Sequence, residues 1–430
     1  MNLQEFMDNK IAPAMNKFAQ IRHIQAIRDG VVLNLVPSMI GSMFLLFAAL
    51  PIPGYGDWIR ANGIFDALLI PIGATLDLMG MTAVIAISYR LAESYKVDAL
   101  PAAVISLLCF FMLTPYRVSH ELVEGGIAGV MPIMYLGSRG LFTALLVALV
   151  ATEIYVKMVK SNLVITMPNG VPPAVAKSFA AIIPGGITLV VIWLVRLAID
   201  ASSFENIHTI LAEFVTKPLS GMGGNIWGAI GFMFLVHFFW FFGIHGQLVI
   251  GPILDPIFTV FQDANRIAFQ NGEAIPHIIT RYWFDLYVTL GGAGASLSVI
   301  IAIVLFARSR HLKEVGRLSL APGIFNINEP FVFGLPIVFN PIIFIPWMLV
   351  PIMNVCTTYF ATIIGFLPRH NGIIAPWTMP IFFSGFLVAG WKGIAMQVIN
   401  LTLSSIVWFA FIKKLDNMEY QKELDELKKN

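Results

Sequence analysis

Apolar runs close to the roughly 20 residues a helix needs to cross a bilayer recur along the whole of this chain. They fall at about 30–51, 64–88, 99–115, 139–157, 178–200, 224–250, 286–307, 341–366 and 391–412. Hydrocarbon offers no water to a backbone N–H or C=O, so these runs read as helices that close their own hydrogen bonds. Only 12% of the 430 residues are charged and 57% are hydrophobic, whereas soluble domains carry about 25% charged residues. The fold class is therefore an all-α polytopic membrane protein with roughly eight to ten spans. The stretch 372–390 is apolar but broken by Pro376 and Pro380, and Pro71, Gly73 and Gly80 leave open whether 64–88 is one span or parts of two. Segments 206–222 and 320–340 are apolar only in patches and rich in Gly, Pro and Asn. They read as re-entrant hairpins, because irregular backbone at membrane depth is tolerated only where it is buried in protein or lines a cavity.

The net charge of +2 is too small to argue for nucleic acid; the expected surroundings are lipid. Cys109 and Cys356 lie in apolar runs and read as buried thiols, with no His or Cys at metal-ligand spacing. No cleavable signal peptide is expected. The first 28 residues are amphipathic and read as an interfacial helix, and the tail from Lys413 to Asn430 reads as a short charged helix or a disordered end, its mixed Lys/Glu pattern a solvated face. Basic clusters at the N-terminus, at Arg90 and Lys96, at Arg308, Arg310 and Lys313, and at Lys413 and Lys414 place both termini in the cytoplasm. The best internal boundary is 159–177, where Pro168, Asn169, Gly170, Pro172 and Pro173 punctuate a polar stretch. This divides the chain into a scaffold domain at 1–158, a linker at 159–177, a solute-binding domain at 178–417 and a tail at 418–430.

The ionisable residues in the second half point to chemistry. Ionisable groups at membrane depth are expensive and face a protein interior or a water-filled cavity. His245 follows the aromatic string Trp240-Phe241-Phe242-Gly243-Ile244, and Gly243 and Gly246 flank it. The glycines allow unusual dihedrals and close approach. A neutral imidazole there can exchange hydrogen bonds with a sugar hydroxyl, or act as a base near neutral pH; the alternative is a histidine satisfied by a backbone carbonyl. His237 lacks flanking glycines and reads as structural. Glu329 lies in Asn326-Ile327-Asn328-Glu329-Pro330. A carboxylate accepts two hydrogen bonds from adjacent hydroxyls, and an amide beside it both donates and accepts. The alternative there is a helix cap, which Asn before Glu-Pro also resembles. Trp240 and Trp377 can stack on a pyranose face, or anchor at the interface. Trp227, Trp347 and Trp408 read as anchors or packing residues. Asp66 and Asp77 read as structural before functional, and Arg90 with Glu93 is spaced either for a local helical pair or to receive a protein partner. There is no phosphate-binding glycine loop, zinc-type histidine pair or nucleophile elbow, and the reading requires neither a metal nor a cofactor.

Three strings, MPNGVPPAVAKSF at Met167–Phe179, WFFGIHG at Trp240–Gly246 and NINEPFVFGLP at Asn326–Pro336, resemble the membrane-embedded IIC component of bacterial sugar phosphotransferase systems, in the lactose/cellobiose/N,N′-diacetylchitobiose family. The resemblance runs over nearly the whole chain. It implies a homodimer in the bacterial inner (plasma) membrane, with about ten transmembrane helices plus two re-entrant hairpins per protomer. The first half would form the dimer contact and 178–417 would hold the sugar. It implies a disaccharide substrate, N,N′-diacetylchitobiose favoured over cellobiose or lactose. Glu329 and His245 would hold the reacting hydroxyl, with Asn328, Trp240 and Trp377 around the sugar. It also implies a separate IIB protein carrying a phosphocysteine, with IIA upstream. Neither Cys109 nor Cys356 suits that role, so the chain alone is expected to translocate sugar without phosphorylating it. An ion-coupled secondary transporter, with Glu329 and His245 as proton carriers, is the rival reading.

Overall fold

The structure is a computed structural model and describes residues 20–120, 123–168, 170–218, 224–335, 337 and 340–429, with Pro13, Lys17 and Gly221 beside them. Most of the expected interfacial helix, together with Asn169 and Pro336, lies outside the described residues. The helices used below are α1 Arg22–Ala48, α2 Ile64–Leu76, α3 Met79–Ser94, α4 Ala99–Leu113, α5 Leu141–Lys160, α6 Ile182–Asp200, α7 Ile226–Phe241, α8 Gly246–Asn271, α9 Ser296–Phe306, α10 Arg310–Ile324, α11 Glu329–Gly334, α12 Pro341–Ile363 and α13 Phe383–Lys429. Among the described residues, seven helical stretches are long and apolar enough to cross a membrane.

The chain forms two compact units. One comprises Lys17–Phe44 and Leu69–Gly221. In it α3, α4 and α5 pack on one another, and α6 packs on α4 and α5. Buried Ala83, Ala102, Ala144, Ala148 and Ala151 keep the contact faces small, which lets helix backbones approach closely where lipid supplies no hydrophobic drive. Cys109, Phe110, Val147 and Ile192 complete this core, and Ser106 and Thr152 share a 3.1 Å hydrogen bond inside it. Lys157 and Lys160 occupy the last turn of α5, where cations favour the helix dipole. The sequence reading placed residues from 178 onward with the second half. The contacts group α6 with the first-half helices instead, because Thr188 and Ile192 of α6 are buried on that side. A two-stranded antiparallel ribbon, Arg117–His120 with Val123–Ala128, also belongs to this unit and has no counterpart in an all-helical reading.

The other unit comprises Leu45–Leu68 and the described residues of Met222–Asn430. Here α7 packs on α8 and α12, α9 on α10 and α13, and α12 on α13. Phe232, Phe258 and Phe284 fill its centre with ring centroids 4.9 to 5.2 Å apart. Three expected spans differ from the helices found. The run 224–250 is two helices, α7 and α8, because the chain turns at Gly243 with φ 75°. The run 286–307 becomes regular only at Ser296, after a π turn at Phe284–Val288 and a glycine-rich turn. The run 391–412 is the middle of α13, which starts at Phe383, kinks at Ala389–Gly390 and continues to Lys429. The segment 206–222 begins with a short helix, Ile207–Leu211, and a π turn, Ala212–Thr216.

Candidate functional site

The first element of the site is the break between α7 and α8. Asn225 opens α7 by accepting from the N–H groups of Trp227 and Gly228. The helix closes with Gly243 N–H donating to Trp240 O at 2.9 Å and Ile244 N–H to Phe239 O at 3.1 Å, the hydrogen-bonding pattern of a glycine-terminated helix. His245 then caps α8, its Nδ1 accepting the Leu248 N–H at 3.3 Å. Gly246 lies so close to the Val236 carbonyl that a Cβ there would overlap it. His245 is thus held by its N-cap role. Its Nε2 meets no partner among the described residues. The Trp240 ring lies 4.4 Å from the His245 ring. Trp240 is 8% exposed and its indole N–H is buried without a partner. An unmet buried donor costs about 1–3 kcal/mol, so this N–H is a natural place for a ligand oxygen.

The second element is the turn after the π turn. Gly291, Gly292 and Gly294 have φ of 83°, 103° and 73°, and Ala295 has 50°. Such a path forfeits the helical ladder, yet every carbonyl from Leu286 to Ala295 finds a donor. Gln397 Nε2 donates to Leu286 O, Asn400 Nδ2 to Tyr287 O and Asn354 Nδ2 to Val288 O, at 2.9, 2.7 and 3.0 Å. Backbone N–H groups serve Thr289, Leu290 and Gly292, and Ser296 and Ser298 serve Gly291 and Ala295. Asn328 Nδ2 donates to Ala293 O at 3.2 Å and Trp408 Nε1 to Gly294 O at 3.0 Å. His237 fits the structural reading. Its Nδ1–H donates to Met233 O at 2.7 Å and its Nε2 accepts the Gly294 N–H at 2.8 Å. Trp347 donates to His237 O, and a Cβ on Gly294 would press into its ring. Trp347 and Trp408 are therefore packing residues of this turn, whereas Trp227 is 77% exposed.

The third element is Asn326–Glu329. Asn328 occupies the N-cap position of α11, but its side chain makes no cap bond. It goes to the glycine turn instead, so the capping reading of Asn328 fails. Glu329 is the first residue of α11 and is exposed. Its carboxylate has no hydrogen-bond or ion-pair partner among the described residues, and it lies near enough to His245 for its charge to act on that ring. Trp377 is 47% exposed; its carbonyl accepts from Asn326 Nδ2 at 2.7 Å. No ring contact joins Trp377 to Trp240 or His245. The structure thus packs Trp240 on His245, with Glu329 within electrostatic range of that ring, ties Asn328 into the supporting turn, and attaches Trp377 by its backbone. The sequence reading missed the supporting amides Asn354, Gln397 and Asn400; each is a lone polar side chain inside an apolar run, which was the available signal. It also missed an ion-pair cluster in this unit: Arg281 lies 2.9 Å from Asp255 and 3.0 Å from Asp285, and Gln247 donates to Asp255.

Residues 28–351 match the family model described as "Phosphotransferase system, EIIC". The chain belongs to that family. It is 43% identical over 430 residues to the "PTS system cellobiose-specific EIIC component" of Geobacillus stearothermophilus, covering 97% of this chain and 95% of that protein. It is 41% identical over 435 residues to the "Lichenan permease IIC component" of Bacillus subtilis, covering 98% and 96%. Among solved structures it is similar to the transporter ChbC, the IIC component from the N,N′-diacetylchitobiose-specific phosphotransferase system, at 42% identity with TM-score 0.93 over 97% of this chain and 99% of that one. As an EIIC protein the chain is a membrane protein that works with a sugar substrate and a separate IIB partner. Trp240, His245 and Glu329 lie in one unit, at the α7–α8 break and at the start of α11.

Proposed function

We propose that this EIIC protein binds a disaccharide of the cellobiose or diacetylchitobiose type at the α7–α8 break and the start of α11, carries it across the membrane, and presents it to IIB for phosphorylation. N,N′-diacetylchitobiose is the favoured sugar, with cellobiose and lactose next. The similarity to ChbC and to the cellobiose-specific relative supports that class. The observation that carries the site is the free carboxylate of Glu329 beside a histidine with an unengaged Nε2 and a tryptophan with an unmet buried N–H.

Glu329 accepts hydrogen bonds from adjacent sugar hydroxyls, and Trp240 and Trp377 offer ring faces to the pyranose carbons. Asn328 acts by holding the glycine turn against the site. Phosphoryl transfer is mostly positioning and charge stabilisation. The sugar hydroxyl oxygen forms the new O–P bond as the S–P bond to a IIB cysteine breaks. The hydroxyl proton leaves to Glu329 or His245, whichever the bound sugar places within reach. The phosphorylated sugar is charged and does not return through an apolar path. The working assembly in this reading is a homodimer in the bacterial plasma membrane with cytoplasmic termini, served by IIA through IIB.

The test is uptake of radiolabelled cellobiose and diacetylchitobiose into vesicles holding the protein. Accumulation that needs phosphoenolpyruvate and the IIA and IIB proteins, and survives an uncoupler, is the expected result. Accumulation that collapses with the uncoupler and ignores phosphoenolpyruvate would replace this reading with ion-coupled transport.

A further inference from the structure

Asn326 is the residue through which three separate strands of this site meet. Its backbone is left-handed, φ 62°, a conformation asparagine tolerates better than most side chains. Its side chain spends one amide on two loops. Oδ1 accepts the Gly291 N–H at 2.8 Å. Nδ2 donates to Trp377 O at 2.7 Å and to Met379 O at 3.3 Å. Two residues on, Asn328 holds the same glycine turn by Ala293 O, and Gly292 packs so closely on Asn328 that a Cβ there would overlap it. The glycine turn therefore has two ties to Asn326–Glu329. The Trp377 segment has Asn326 at Trp377 and Met379, and then an Ile381 N–H to Ile324 O bond at 3.2 Å.

We infer that Asn326 is a positioning residue for sugar affinity: it sets Trp377 against Glu329, and its effect on binding passes through Trp377. This rests on the reading of Trp377 as a sugar-stacking residue. The physical reason is where the ties fall: the segment is anchored by buried Ile373–Ala375 on one side and by the Phe382 N–H bond to Gln397 on the other, and between them Asn326 takes the Trp377 and Met379 carbonyls. The segment from Ile364 to Phe382 has no regular secondary structure, and half-exposed Trp377 has no ring partner to hold it. A stacking ring on such a segment contributes to affinity only if its backbone is fixed before the sugar arrives. Asn326 fixes it from the residue three positions before the carboxylate, so the ring and the acid keep one spacing.

The discriminating variant is Asn326→Asp. It keeps an oxygen for the Gly291 N–H but turns a second oxygen toward two carbonyls, which repel it. The Trp377 end is released and the glycine-turn end is kept. Asn326→Gly, which accepts the left-handed backbone, is the second variant should Asn326→Asp not fold. Cellobiose and diacetylchitobiose affinities are measured by calorimetry for the wild type, Asn326→Asp, Trp377→Ala and the double variant. Phosphorylation kinetics with IIB are measured alongside. Each single variant is expected to weaken binding about five- to tenfold, the size of a lost stacking contact. The double variant is expected to bind like Trp377→Ala alone. The loss should appear in KM with kcat little changed, because Glu329 stays in place. Losses that multiply, or an Asn326→Asp variant with wild-type affinity while Trp377→Ala is weak, would overturn the inference. Wild-type affinity in Trp377→Ala would overturn the stacking reading beneath it, and the inference with it.

Discussion

The helix layer around Ala83, Ala144 and Ala148 and the broken segment from Phe284 to Ala295 solve the same problem in opposite ways. In the first, each helix satisfies its own backbone, and the side chains need only be small. Packing is dry, and the few polar contacts, such as Ser106 with Thr152, supplement it. In the second, the ladder is broken over about three turns, and side chains from four other segments take over its polar groups. Asn354, Gln397, Asn400, Asn328, Trp408 and His237 are each committed to one stretch of main chain. What this second solution secures is a fixed, irregular turn held against Asn328, the neighbour of Glu329. In this unit the buried amides serve the backbone, whereas the exposed Glu329 carboxylate and the buried Trp240 N–H have no partner among the described residues.

That contrast makes unequal predictions. The largest effect should come from Gly294→Val. A side chain there meets the Trp347 ring and a φ of 73°. Strain and overpacking each cost about 1–3 kcal/mol, so the protein should unfold at a clearly lower temperature in detergent and lose sugar binding. A smaller loss, of about 1–3 kcal/mol, is expected for Asn400→Leu, which strands the Tyr287 carbonyl and removes partners of Thr357 and Thr358. It should lower both thermal stability and sugar affinity, because the turn beneath the site loosens. The smallest should be Ser106→Ala in the dry layer, about 0.5–1.5 kcal/mol in stability, with sugar affinity unchanged. If Ser106→Ala and Asn400→Leu were to cost the same and affect binding alike, the division into self-satisfied and amide-supported backbone would lose its meaning.

The sequence shows the first solution better than the second. Uniform apolar runs mark α4, α5 and α6 to within a few residues, since a spanning helix needs little beyond length and apolarity. The break after α7 is not placed by hydropathy, which runs 224–250 together, although Gly243 and Gly246 mark where the chain turns. The tail of α13 is half legible: its charged pattern allows a short helix or a disordered end, and the structure has the helix, continuous with the span before it. The ribbon at Arg117–Ala128 is too short and too polar to stand out from a loop. Of the site, His245 and Glu329 are visible as ionisable groups in apolar surroundings. The partners of Asn354, Gln397 and Asn400 are not, because carbonyls at 286–288 become acceptors only once a π turn has released them. Asn328 shows the limit most sharply: Asn-Glu-Pro looks like a cap, and only the approach of Gly292 reveals where the amide goes.

The central claim is that Glu329 is free for substrate and not for structure. Calorimetry of cellobiose and diacetylchitobiose binding to the purified protein, with Glu329→Ala beside the wild type, tests it most directly. The account predicts measurable binding of one of these sugars to the wild type, weakened about 10- to 150-fold in the variant, the loss of hydrogen bonds to a charged group, with an unchanged melting temperature. Unaltered affinity in Glu329→Ala, or a melting temperature that falls with the affinity, would contradict it.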